Sequence, residues 1–221
     1  NHRDRIAFAR ICSGRFDRGM VMTCERTGKP FATKYASTVF GAERTTVDEA
    51  FPGDVVGLVN ATGLNLGDTL YDETGPSVKF PPIPAFAPEV FATARPLDTG
   101  KTKQFRKGLD QHNEEGVVQV LKDPDWGDAS PVLAAVGQLQ FDVVANRLDI
   151  EFTAPIEILS APYQAIRLTD KASADVLREK PGVRILARLD GHLVALFENK
   201  YALARIEQNE PELTLDHIIA G

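Results

Sequence analysis

The first eighty residues alternate short apolar runs with glycine turns. Between residues 5 and 16 the side chains alternate with the period of two that is typical of a strand. Turn residues cluster around Gly19, Gly28 and Gly53. Further apolar runs occupy residues 20–24, 31–39, 54–59 and 66–71. About six short strands joined by such turns predict an all-β domain, and closure into a six-stranded β-barrel would leave no exposed edge.

Beyond residue 88 the pattern changes to strands that alternate with amphipathic helices. Residues 101–113 place Phe105, Leu109 and His112 on one helical face, and Gly116 suits a left-handed helix end. After a break at Gly137, apolar residues recur at helical spacing, and we expect them to face the core: Leu139, Val143, Val144, Leu148 and Phe152. Strand-like runs occupy residues 90–94, 117–121, 131–136 and 156–159. The resulting order β-α-β-β-α-β predicts a ferredoxin-like, or split βαβ, unit.

A stiff linker separates the two patterns, because five of the residues between 74 and 88 are prolines. We therefore predict a first domain at 1–77 and a second at 84–221. Three aromatic residues flank the prolines: Phe80, Phe86 and Phe91. We expect them to pin the linker against one domain; exposure for partner binding is the alternative.

The second domain is predicted to comprise the ferredoxin-like unit, about 88–160, and an α/β extension, 161–221. In the extension, Asp170 is placed to cap a helix that begins near residue 172. The remaining elements expected there are strands at 184–189, 193–197 and 213–215 and a helix at 201–208.

Charge is segregated along the chain. The net charge of −6 argues against a general nucleic-acid-binding protein. However, residues 1–35 and 95–107 together carry +9, which leaves −15 for the remainder. This segregation predicts a positive face that meets RNA phosphate, with the candidate contact residues Arg15, Arg18, Lys101, Lys103, Arg106 and Lys107. The alternative, which stays open, is that these side chains are the solvated faces of ordinary strands and helices.

The sequence predicts no nucleotide or metal site. Gly100-Lys101-Thr102 matches the end of a phosphate-binding loop, but the first glycine of such a loop would fall at Arg95. The histidines and cysteines lack the spacing of metal ligands. Glu114 and Glu115 are neighbours in a predicted helix, so they point apart and form no acid–base pair. We therefore expect no catalytic residue, cofactor or metal in this chain.

The cysteines and the absence of long apolar segments bear on the compartment. Cys12 and Cys24 lie in strand-like runs and are expected to be buried free thiols. No segment has the apolar length of a membrane span, and no signal peptide is visible. We expect a cytoplasmic protein with no membrane partner. Trp126 lies in an acidic loop and could stack on an RNA base, although loop tryptophans more often cover local apolar surface.

Several segments, taken in their order and spacing, resemble one known family. They are residues 2–8, 51–58, 66–70, 83–91, 107–120 and 136–148. The last three are the most specific, and the last contains Gln138-Leu-Gln-Phe. The chain resembles the peptide chain release factor 3 family, which are bacterial translational GTPases that act in termination. The resemblance covers nearly the whole chain and is poor over the last forty residues.

This resemblance implies a fold and a role. The first domain would be a barrel of the kind found second in elongation factor Tu. The catalytic G domain, which binds GTP and Mg, would lie upstream of Asn1, so we expect a carboxy-terminal fragment that is not an enzyme. The whole protein would promote recycling of the release factors that read stop codons. The two domains would contact RNA and protein of the small ribosomal subunit, and the G domain would dock near Arg3, Asp4, Arg5 and Phe8.

Two alternatives remain open from the sequence. The first is the equivalent piece of an elongation factor G-like GTPase, whose third domain is also a split βαβ unit; the segment at Gln138 favours the release factor. The second is an enzyme that uses a nucleotide through Gly100-Lys101-Thr102.

Overall fold

The chain forms two compact units in a computed structural model, Asn1–Ile83 and Pro84–Gly221. The structure describes residues 6–34, 36–40, 43–61, 63–72, 74–75, 77–81, 83, 86–125 and 127–218, without the side chains of 37–45 and 127–129. Each unit has its own hydrophobic core, and each is described by itself.

The described residues of the first unit form strands and no helix. They are β1 Ile6–Arg10, β2 Phe16–Asp17, β3 Val21–Cys24, β4 Lys29–Ala32, β5 Ala36–Phe40, β6 Glu43–Thr46, β7 Glu49–Ala50, β8 Val55–Val59 and β9 Leu70–Asp72. All pairs are antiparallel, in the orders β1-β8-β5-β6, β4-β3-β9 and β2-β7. The all-β prediction is confirmed, but the described strands number more than six. The long runs at 5–16 and 31–39 are each interrupted, and β6 and β7 lie where no strand was predicted.

One core holds these three sheets together. Its most buried members include Phe16 of β2 and Val56 and Leu58 of β8. Strands of different sheets therefore contribute to the same core. The chain reverses at glycines with φ between 63° and 105°, including all three glycines of the predicted turns: Gly19, Gly28 and Gly53. Among the described strands, the hydrogen-bonded pairs do not link the three sheets into a closed ring.

The second unit begins with the predicted split βαβ topology. Its elements are β10 Val90–Pro96, a 3-10 turn Thr99–Lys101, α1 Thr102–Glu114, β11 Gln119–Asp123, β12 Gly127–Ala135, α2 Leu139–Phe152 and β13 Ile156–Ser160. The four strands lie in the order β13-β10-β12-β11 with antiparallel neighbours. This element order and strand order confirm the ferredoxin-like prediction.

The extension continues the same sheet. Its elements are β14 Ala165–Thr169, α3 Lys171–Leu177, β15 Val183–Arg188, β16 Leu193–Phe197 and α4 Lys200–Asn209. β15 pairs with β11, so the sheet has seven strands in the order β13-β10-β12-β11-β15-β16-β14. The predicted cap is confirmed, because Asp170 Oδ1 accepts a hydrogen bond from the Ser173 amide at 2.7 Å. The prediction of a strand at 213–215 is wrong, because this part of the chain forms only an isolated bridge between Leu168 and Asp216.

All four helices pack on one face of this sheet. Paired residues of antiparallel strands point to the same face, and Lys122 pairs with Ala187. Val120 lies two residues before Lys122, and Ile185 lies two residues before Ala187, so Val120 and Ile185 share a face of the sheet. Val120 packs under α1 and α2, and Ile185 packs under α3 and α4. The opposite face carries a third apolar cluster, to which Leu121, Leu186, Leu196 and other strand residues contribute.

The two helices of the ferredoxin-like unit approach each other closely at Gly108. A Cβ atom at this position would lie 2.3 Å from Leu148 Cδ2 and 3.1 Å from two ring atoms of Phe152. Phe105, Leu109 and His112 are buried on this side of α1, as the sequence predicts. Gly108 is thus the residue that allows α1 and α2 to pack in contact.

Candidate nucleic-acid interface

A cluster of basic side chains lies at the amino-terminal end of α1. Lys103, Arg106 and Lys107 are spaced i, i+3 and i+4, so they share the helical face opposite the buried Phe105 and Leu109. All three are exposed, and Lys101 in the preceding turn is half-buried. We call these four residues the α1 basic cluster.

The electrostatics of α1 disfavour basic side chains at its amino-terminal end. The amino terminus of a helix carries a partial positive charge, which disfavours cations there by a few tenths of a kcal/mol each. The first turn of α1 contains no acidic residue. Among the described residues, Lys101, Lys103 and Lys107 have no ion-pair partner. An anionic partner would relieve this accumulation of positive charge, because lysine side chains attract phosphate.

The two candidate arginines of the first unit are already paired. Arg15 Nη2 lies 2.6 Å from Asp17 Oδ1 and 3.5 Å from Glu49 Oε2, and the hydrogen bond to Asp17 raises the pKa of Arg15 above its ordinary value. Arg18 Nη2 lies 3.0 Å from Asp48 Oδ1. These two cations are balanced locally by carboxylates, so the three lysines of the α1 basic cluster are the stronger candidates for binding phosphate.

Two exposed apolar side chains, Phe8 and Val55, lie on the outer face of β1 and β8 together with Arg10. Phe8 is 62% exposed and lies opposite Gly57, which offers no side chain to cover it. Val55, opposite Arg10, is also exposed. Of the four residues predicted to contact the G domain, Phe8 is among the described residues. The other three, Arg3, Asp4 and Arg5, lie outside the described residues.

The turn at Gly100-Lys101-Thr102 does not have the form of a phosphate-binding loop. The Gly100 amide donates to Asp98 Oδ1 at 2.8 Å, so a carboxylate already occupies the amide that a phosphate would need. Thr102 Oγ1 donates to the Thr99 carbonyl at 2.6 Å. A negative side chain in this position would repel a phosphate, which disfavours the nucleotide-enzyme alternative.

An ionic network joins the two helices of the ferredoxin-like unit. Arg147 donates to Glu115 Oε2 at 2.6 Å and to Glu151 Oε1 at 2.7 Å. Burial raises the pKa of Glu115, but hydrogen bonds from Arg147 and Gln111 outweigh it and leave the pKa below its ordinary value. Glu115 therefore has a structural partner on α2, which the sequence did not indicate.

Gln140 is a second residue whose role the sequence did not reveal. Its Oε1 accepts hydrogen bonds from the amides of Val136 and Gly137, at 2.8 and 3.0 Å. Its Nε2 donates to the Val117 carbonyl at 2.7 Å. The side chain thus fixes the turn between β12 and α2 against the segment that follows α1. Its position three residues after Gly137 is the signal that could have indicated this role.

Other sequence-based expectations have mixed outcomes. Cys24 is buried as predicted, but Cys12 is exposed, so that prediction is wrong for Cys12. Phe91 is buried, whereas Phe86 and Phe80 are exposed, so the linker aromatics are not all pinned. Trp126 lies outside the described residues.

The described residues contain neither a metal cluster nor a membrane-spanning helix. No three or more His, Cys, Asp or Glu side chains there are arranged to hold a metal ion. No helix in the same part of the chain combines the length and apolar character needed to cross a bilayer.

Comparison with known proteins defines the class of the two units. Residues 1–73 match the family model of elongation factor G domain 2, and residues 80–207 match that of the class II release factor RF3, C-terminal domain. A crystal structure of a protein from Thermus thermophilus is similar in fold, with a TM-score of 0.59 over 85% of this chain and 27% of that chain, at 19% identity. The chain thus has the domain pair of a translation factor.

Curated relatives then identify the family. A peptide chain release factor 3 from Synechocystis sp. is 48% identical, and one from Synechococcus elongatus is 39% identical. These matches cover 98% and 97% of this chain, but only 40% and 38% of the relatives. The chain belongs to the peptide chain release factor 3 family, as the resemblance predicted. It spans about two fifths of the length of these relatives. The match at 80–207 decides against the elongation factor G alternative.

Proposed function

We propose that this chain is the ribosome-binding, non-catalytic part of a peptide chain release factor 3. The observation that carries the proposal is the α1 basic cluster, which stands on a helix of the domain that defines the family. Its unpaired lysines are suited to the phosphates of ribosomal RNA. The small ribosomal subunit is the proposed partner, through its RNA and its proteins.

The proposal extends to the whole protein to which the chain is related. The GTPase activity, with its GTP and Mg, would belong to a G domain in the part of the relatives that this chain does not match. The whole protein would use nucleotide-dependent domain movement to promote departure of the release factors that read stop codons, in the cytoplasm. This chain would bind no cofactor of its own and hydrolyse no GTP.

We assign two finer features to the first unit within this proposal. The first is a closed barrel of the elongation factor Tu domain 2 kind, which the match to elongation factor G domain 2 and the single shared core support. The second is docking of the G domain on the outer face of β1 and β8. The exposed Phe8 supports this docking, because large exposed apolar patches commonly mark protein contacts.

The test is charge reversal in the α1 basic cluster. Lys103→Glu with Lys107→Glu should weaken binding of the chain to purified small ribosomal subunits about tenfold or more at moderate salt. The slope of log affinity against log salt should become shallower by about 1.5, because each lost phosphate contact contributes roughly 0.7–0.9.

A matched control carries the same change of net charge elsewhere. Lys171→Glu with Lys200→Glu alters two exposed lysines at the starts of α3 and α4. The control should bind nearly as wild type does. Equal losses in the two double variants would show a general charge effect and would overturn the assignment to the α1 basic cluster.

A further inference from the structure

Strand β13 forms one edge of the seven-stranded sheet, and its outer side is open. Among the described strands it pairs with β10 alone. The opposite edge, β14, is partly covered, because Leu168 and Asp216 exchange two backbone hydrogen bonds of 2.9 and 3.0 Å. Within the described ranges, no hydrogen bond joins Ile156, Ile158 or Ser160 to any residue outside β10. β13 therefore ends the sheet with a row of unpaired amides and carbonyls.

The hydrogen bonds at the two ends of the β13–β10 pairing show which backbone groups point outward. The Leu97 amide donates to the Pro155 carbonyl at 3.0 Å, and the Ala161 amide donates to the Phe91 carbonyl at 2.9 Å. Backbone groups alternate along an antiparallel strand, so the odd-numbered residues of β13 bond to β10 and the even-numbered ones point outward. Pro155 and Pro162 lie on either side of this segment, so each outward residue within it keeps its amide.

Helix α2 has its core contacts on one side and exposed apolar residues on the other. Phe141, Val144 and Leu148 are buried. Leu139 and Val143 are 78% and 46% exposed, so the prediction that they face the core is wrong. The buried side fixes how α2 is rotated on the sheet, and hence the direction in which its remaining side chains project.

This rotation places two carboxylates of α2 above the open edge. α1 lies over β11 and α2 over β13, and Arg147, on the α1 side of α2, donates to Glu115 of α1. Asp142 and Asp149 lie on the other flank of α2, toward the β13 edge, and both are exposed. Glu157 of β13 is exposed on the opposite face of the sheet. In the described part of the chain, none of these three carboxylates has an ion-pair partner.

We propose that the β13 edge binds an extended peptide segment that carries lysine or arginine side chains, and adds it to the sheet as a further strand. The outward amides and carbonyls supply the main-chain hydrogen bonds, and the carboxylates on both sides of the edge select for positive charge. A second copy of the chain fits less well, because pairing of two β13 strands would bring two acidic flanks together. The same carboxylates repel the phosphates of a nucleic acid. This inference goes beyond the proposed ribosome binding and does not rest on it.

The first experiment measures binding of the whole chain to a short fluorescein-labelled peptide of alternating lysine and valine. Paired residues share a face of the sheet, so a peptide whose lysines lie below Asp142 and Asp149 would direct its lysine amides toward β13. N-methylation of the lysine amides should therefore weaken binding about tenfold or more, whereas N-methylation of the valine amides should leave it nearly unchanged. Equal binding of the two methylated peptides would show charge attraction without strand pairing and would overturn the inference.

A second experiment blocks the edge in the chain itself. Ser160→Pro removes an outward amide and leaves the bonds between β13 and β10 in place, as prolines at sheet edges commonly do. It should weaken binding of the lysine–valine peptide about tenfold, and the control Ser160→Ala should bind as wild type does. Both variants should melt within a few degrees of wild type. Wild-type affinity in a folded Ser160→Pro chain would refute binding at this edge.

A third experiment tests the charges and the identity of the occupant. Asp142→Asn with Asp149→Asn should weaken binding of the lysine–valine peptide and flatten its salt dependence. Glu179→Gln with Glu198→Gln removes the same charge at two exposed positions elsewhere and should bind nearly as wild type does. Equal affinity for a glutamate–valine peptide, or for a single-stranded oligonucleotide, would overturn the inference. So would a dimer of the chain that Ser160→Pro abolishes. Each of these results would leave the proposed function standing.

Discussion

The packing of α1 against α2 makes a sharp prediction at Gly108. In the Gly108→Ala variant the new Cβ would lie 2.3 Å from Leu148 Cδ2, whereas carbon atoms pack at about 3.5–4.0 Å. Either the helices must separate by about an ångström, or the fully buried Leu148 must leave its rotamer. Overpacking of this kind costs up to about 3 kcal/mol, and the better helix propensity of alanine offsets about 1 kcal/mol. We expect a net loss of about 2 kcal/mol.

Urea unfolding followed by far-ultraviolet circular dichroism measures this loss. Gly137→Ala is the matched control, because a Cβ at Gly137 meets no atom within 4 Å. The control should lie within about 0.5 kcal/mol of wild type. Leu148→Ala should remove the clash, so the double variant should lose less stability than the sum of the single variants. If Gly108→Ala is as stable as wild type, the close approach of the two helices is refuted.

Two further predictions concern the ionic network and the thiols. Glu115 and Glu151 have pKa values below the ordinary 4.5, so they stabilise the folded chain above about pH 4.5 and lose this effect as pH falls through their folded values. Arg147→Met should therefore cost about 1 kcal/mol near neutral pH and flatten the acid limb of the stability profile; an unchanged acid limb would contradict this assignment. A thiol reagent should modify Cys12 in the native chain and reach Cys24 only on unfolding, and Cys12→Ser should abolish the native reaction. Rapid native reaction of both thiols would contradict the burial of Cys24.

The parts of the fold that the sequence predicted are those where a single periodicity dominates. Phe105 and Leu109 are apolar residues in an otherwise polar helix, and His112 follows them at the same spacing, so the buried face of α1 follows from the pattern. Asp170 and Gly116 were predicted from local chemistry, because a helix cap and a left-handed turn depend on neighbouring residues alone.

The parts that the sequence did not predict depend on contacts between distant segments. Helix α2 has apolar residues on two faces, so periodicity could not show that Phe141 is buried and Leu139 exposed. The pairing of β11 with β15, which joins the extension to the sheet, links residues more than sixty positions apart. Likewise, a count of charges along the sequence did not show that the carboxylates of Asp17 and Glu49 neutralise the charge of Arg15.

The most direct test of the ribosome-binding role is an equilibrium titration of the unmodified chain against purified small ribosomal subunits, without nucleotide, over a series of salt concentrations. We predict saturable binding whose affinity falls steeply as salt rises, with a log–log slope near about −3 if about four phosphates are contacted. Absence of binding at low salt, or binding that does not change with salt, would contradict the proposed role.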